Sequence, residues 1–128
     1  MARNVERARE DAKTSNDFGR VGAQAAILIN GGAATAILAF LSHTGEISAG
    51  RDFLAAAPYA LIIYSVGVFL SAASLPVSSK AIEYWMLYWN GEGDGTRGNL
   101  LWNLALGLIA AALLSFLVGS VFLAFKLM

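Results

Sequence analysis

The chain contains no cysteine, which excludes disulfides, thiolate metal sites and a cysteine nucleophile. It contains one histidine, His43, too little to build a histidine-based metal, haem or chlorophyll site. Charge is scarce too, with only 14% of its 128 residues being Asp, Glu, Lys or Arg, against about 25% in soluble domains. Nine basic and nine acidic side chains cancel. The positive excess that nucleic-acid binding draws on is therefore missing. Most telling, Lys, Arg, Asp, Glu and His are wholly absent from three stretches: Val21 to Ser42, Phe53 to Ser79 and Gly98 to Phe125.

What fills those stretches is apolar. Hydrophobic residues make up 57% of the chain, and each stretch is at least as long as the roughly 20 residues a helix needs to cross about 30 Å of hydrocarbon. A soluble helix of that length needs a polar face, and none is present. The fold class expected is all-α, an integral membrane protein of three transmembrane helices with a polar N-terminal helix and a short interfacial helix. The spans fall at about 21–42, 53–76 and 99–125, and the interfacial segment at about 78–90. Proton pumps and coupled transporters generally use intramembrane ionisable groups, which these spans lack. No internal repeat suggests an inverted-repeat transporter.

Residues 1–20 form a polar arm. Glu6, Arg9, Glu10 and Lys13 sit at helical spacings, and Ser15-Asn16-Asp17 either caps the following span or lies inside one continuous helix. The arm lacks the form of a secretory signal, so span one reads as a retained signal anchor. Gly45 is the expected terminator of span one and Asp52 a candidate cap for span two. Pro58 falls in the tolerant early turns of span two, whereas Pro76 is expected to kink or stop it. Beyond Pro76 the chain either turns onto the membrane surface or continues span two outward. Five of the nine Lys and Arg residues precede Val21. The positive-inside rule then places the N-terminus and the second loop in the cytoplasm of an inner membrane, with the C-terminus outside.

In span one, Gly22, Ala26, Asn30 and Ala33 share a face, and Ala25, Gly32, Ala36 and Ala39 form a neighbouring strip. Small residues let helix backbones approach closely in lipid. An unsatisfied amide at mid-bilayer is costly, so Asn30 is read first as glue between helices and second as lining a polar pore; Gln24 and Thr35 admit the same pair of readings. In span three, Gly107-xxx-Ala111 and Ser115-xxx-Gly119 are small-xxx-small pairs, and Asn99 and Asn103 share a face near the membrane surface. Tyr84, Trp85, Tyr88 and Trp89, joined by Trp102, read as an interfacial anchor, with a ring-lined ligand box as the lesser alternative. Asn90, Glu92, Asp94 and Gly95 resemble the start of an EF-hand loop, but Leu101 stands where the closing Glu belongs, so a turn is expected and no metal. Gly91, Gly93 and Gly95 are not followed by the Lys-Ser/Thr of a P-loop. No catalytic constellation and no cofactor are expected.

At Asn30-Gly31-Gly32-Ala33-Ala34 the chain resembles small multi-span bacterial membrane proteins of the phage-defence effector type. That resemblance implies an oligomeric effector that perturbs the inner membrane when triggered. The helix count also resembles some phage holins, from whose charged tail the singly basic C-terminus here departs. Three helices are too few to enclose a polar path alone. The partners expected are thus the lipid bilayer and further copies of the chain, with a membrane or cytoplasmic protein docking on the arm as the alternative. Two functions stay open: a non-enzymatic, self-assembling membrane effector or pore-like protein, and an accessory subunit of a larger membrane complex.

Overall fold

The computed structural model describes residues 2–43 and 51–127. Gly45, and the side chains of His43 and Asp52, lie outside the described residues. Three helices run up, down and up: α1 (Ala2–His43), α2 (Arg51–Trp89) and α3 (Thr96–Leu127). No strand occurs among the described residues. All three are long and apolar enough to cross a membrane, so the chain is an all-α, three-helix membrane protein. At 1.5 Å per residue the helices reach roughly 63, 59 and 48 Å, well beyond the hydrocarbon thickness. The excess of α1 and α2 gathers at the end that holds the arm and the α2–α3 turn.

α1 is unbroken from the polar arm into span one, so Ser15, Asn16 and Asp17 lie inside it and cap nothing. Pro76 does not stop α2, which continues to Trp89. Residues 78–89 therefore extend span two, and the second of the two continuations open at Pro76 is the one adopted. In lipid, a broken helix would expose more backbone groups than the single bond a proline removes. Hydroxyls around this site fold back onto the helix: Ser71 Oγ donates to the Gly67 carbonyl, Ser74 to Ser71, and both Ser78 and Ser79 to Leu75.

α2 ends in a Schellman turn. Gly91 adopts the left-handed region at φ 83°, its N–H donates to the Tyr88 carbonyl at 3.0 Å, and the Glu92 N–H donates to Leu87 at 2.9 Å. Asp94 Oδ1 then accepts the Thr96 N–H at 3.1 Å and caps α3. Asn90 Oδ1 accepts from Arg9 Nη2 at 3.3 Å, tying the arm to the turn. Two of the EF-hand-like oxygen donors are thus used in shaping the turn.

Packing runs as a ladder of pairs. Phe40 meets Phe53 edge-on at 4.8 Å and Tyr59 meets Phe122 at 6.4 Å. Tyr64 lies against Gly119 and Phe116 and shares a 3.1 Å hydrogen bond with Ser120. Higher up, Gly22 faces Ile109 and Gly19 faces Trp102. α2 and α3 make the broadest contact, α1 and α3 the narrowest. The buried hydrophobic residues are mostly alanine (Ala23, Ala26, Ala56, Ala57, Ala60, Ala81, Ala105 and Ala112), whereas Leu28, Phe69, Leu100 and Phe125 are 70–75% exposed. That is the reverse of a soluble core and the arrangement expected where lipid is the solvent.

The two small-xxx-small pairs of span three are therefore not equivalent. A Cβ at Gly119 would come within 2.7 Å of the Tyr64 ring, while at Gly107 it meets nothing within 4 Å. Gly119→Ala is expected to destabilise the detergent-solubilised protein by about 1–3 kcal/mol, read as a lower thermal unfolding midpoint, and Gly107→Ala to leave that midpoint unlowered or raise it slightly through helix propensity.

Candidate functional site

Asn30 of α1 touches both α2 and α3. It is fully buried. Its Nδ2 donates to the Ala26 carbonyl one turn back at 2.9 Å and across to the Ala112 carbonyl of α3 at 3.0 Å. Its amide also presses on Gly67 of α2, where a Cβ would collide with Oδ1. Oδ1 has no conventional hydrogen-bond donor. It faces the direction of a Gly67 Cα–H, a weak donor common at close helix contacts. Gly67 in turn supplies the carbonyl that takes the Ser71 hydroxyl. The amide is thus held inside one chain and does not face outward.

The other small residues of span one divide by face. Gly22 and Ala33 are half-buried and Ala26 fully buried, on the side that carries Asn30. Ala25, Gly32, Ala36 and Ala39 are exposed, and neither Gly31 nor Gly32 has a neighbour within 4 Å of where a Cβ would stand. Thr35 is exposed with its hydroxyl folded onto the Gly31 carbonyl at 2.8 Å. Gln24 is exposed. In span three, Gly119 is buried against Tyr64, Ser115 donates to Ala111 at 3.1 Å, and Gly107 is exposed.

The aromatic residues cluster beside the arm. Trp85 donates from Nε1 to Asn99 Oδ1 at 3.0 Å and packs on Trp102 with ring centroids 5.6 Å apart. It also sits where a Gly98 side chain would be. Arg97 lies over the Tyr84 ring, 6.0 Å from its centroid. The inward face of this part of α2 runs through Ala81, Trp85 and Trp89, while Met86 is 56% exposed. Lys80 and Glu83 form an exposed ion pair at 2.6 Å. Between the arm and these rings opens a cleft of about 540 Å³. Among the described residues no three metal-ligating side chains gather.

Gly67, Tyr64 and Ala112 were not among the residues the sequence pattern singled out. Gly67 carried a usable signal, being the only glycine between Phe53 and Ser79. A lone glycine among bulky neighbours marks close backbone approach. No known protein family, curated protein or solved structure matches this chain.

The contact between Asn30 and Gly67 is testable as a pair. Gly67→Ala is expected to destabilise the bundle by about 1–3 kcal/mol by overpacking. Asn30→Ala is expected to cost about 1 kcal/mol, because only one interhelical hydrogen bond is lost. Asn30→Ala with Gly67→Ala should be more stable than Gly67→Ala alone, since the vacated amide space takes the new methyl. Unfolding midpoints in mild detergent check the order, and a double variant weaker than Gly67→Ala contradicts it.

Proposed function

We propose that the chain is a non-enzymatic, self-assembling membrane protein of the bacterial inner membrane that alters membrane permeability as an oligomer. The observation that carries this reading is the pair Gly31 and Gly32. Glycine in a helix interior costs about 1 kcal/mol relative to alanine, and neither residue serves the packing of its own chain. Gly32 with Ala25, Ala36 and Ala39 forms an exposed strip on which a second helix backbone fits, and Gly31 lies half-buried beside it. Exposed Gln24 lies on the same side of α1 and makes no hydrogen bond among the described residues, which a neighbouring copy could answer with its own amide. The resemblance at Asn30 to Ala34 to phage-defence effectors agrees with this reading. Because Asn30 is enclosed within one chain, any polar path between copies draws on Gln24, Thr35 and the backbone of the glycine face, with Asn30 serving to hold each subunit together. The N-terminus is placed in the cytoplasm and the C-terminus outside by the positive-inside rule.

Native mass measurement in nanodiscs tests the assembly. The wild type is expected to give one defined homo-oligomer, and Gly32→Leu a folded monomer or a clearly reduced stoichiometry. Membrane depolarisation on triggered expression should fall with it. A monomeric wild type, or a different membrane protein that co-purifies and is lost on deletion of residues 2–17, contradicts self-assembly and favours the accessory-subunit reading.

A further inference from the structure

The cleft beside the arm has a composition that selects for charge type. Its walls include Trp85, Tyr88 and Trp89 from α2, Asp11 and Ser15 from α1, and Asn99 from α3. Asp11 is the only side chain charged at neutral pH among its lining residues, and it forms no ion pair among the described residues. Of the cations around it, Arg9 is held at Asn90, Arg97 lies over Tyr84 on the wall of a separate cleft, and Arg7, one turn before Asp11 on α1, does not line the cleft. A lone carboxylate with no basic partner disfavours an anion. One carboxylate is also too few for a metal ion. Three aromatic side chains with a single carboxylate suit an alkylated ammonium, which is attracted to the ring quadrupole and sheds its weak hydration readily. The volume lies within the range of small-molecule sites, and the cleft sits at the level of the aromatic belt, within reach of lipid headgroups.

We propose that this cleft binds an organic ammonium cation, with the alkylated nitrogen against the Trp85, Tyr88 and Trp89 rings and its charge balanced by Asp11. The same chemistry is offered by a choline lipid headgroup and by a free quaternary ammonium compound. The site stands apart from the glycine face of α1 and does not depend on oligomerisation.

All three tryptophans of the chain, at 85, 89 and 102, lie at this end of the bundle, so intrinsic fluorescence reports on the cleft directly. The full chain in dodecyl maltoside is titrated with choline and with its uncharged isostere 3,3-dimethyl-1-butanol. A saturable emission change is expected with choline, and a midpoint at least about tenfold higher with the isostere. Asp11→Asn, a near-isosteric change at an exposed position, should raise the choline midpoint about tenfold. Tyr88→Leu should raise it several-fold, with helicity and elution volume unchanged. Adding phosphatidylcholine to the micelles separates the two sources. If the headgroup is the ligand, this lipid abolishes the choline response and phosphatidylglycerol does not; if the free cation is the ligand, the choline midpoint is the same with either lipid. No saturable choline response, an equal response to the isostere, or an Asp11→Asn midpoint equal to the wild type overturns the proposal.

Discussion

Lipid tails compete with leucine on equal terms, so helices in a bilayer gain little by burying large apolar side chains against one another. What remains is close approach, which multiplies dispersion contacts, and a few hydrogen bonds that no water can replace. Both depend on small residues at the crossings. The interior here obeys that constraint, being alanine, glycine and serine with one buried isoleucine, one buried tyrosine and one buried asparagine, while most of the large aliphatic and aromatic side chains are exposed or only partly buried. Exchanging a single glycine for alanine at Gly67, Gly98 or Gly119 brings a methyl into a ring or an amide, so the helix spacing is set at those points.

Polar atoms in the spans follow a second rule. Most hydroxyls turn back onto carbonyls of their own helix, as at Thr35, Ser65, Ser71 and Ser115, and so satisfy themselves without specifying a neighbour. Within the apolar part of the bundle, the side-chain hydrogen bonds between helices among the described residues are those of Asn30 to Ala112 and Tyr64 with Ser120. Asn30 touches α2 and α3 together, so it sets the mutual register of three helices whose other contacts are nonspecific in chemistry. The Trp85–Asn99 and Arg9–Asn90 bonds repeat that role outside the apolar region, where the arm is fastened to the turn.

Much of this was legible in the residues. Charge-free runs of sufficient length identified three spans, and the missing EF-hand glutamate identified the 90–95 segment as a turn. The two small-residue strips of span one were visible, with Gly22, Ala26, Asn30 and Ala33 sharing one face. Pro76 left two continuations open, because a proline's local cost does not tell what alternative partner the helix backbone would find in lipid. Spacing alone could not tell which of two small-residue strips on α1 turns inward, nor that Gly119 is packed and Gly107 open, because both depend on the rotation of each helix against its neighbours. The aromatic cleft was illegible for a similar reason: Asp11 and Trp89 are distant in sequence and meet only because α1 stays helical through the arm.

This fold requires lipid to contact the outward side chains while the alanine interior stays closed. Nuclear Overhauser contacts between acyl-chain protons and the protein in nanodiscs test this without altering a residue. Cross-peaks from lipid methylenes to Leu28, Phe69 and Leu114, with none to the methyls of Ala26, Ala60 and Ala112, are the predicted result. Acyl-chain contacts at those alanines, or water contacts at Phe69 in place of lipid, would contradict it.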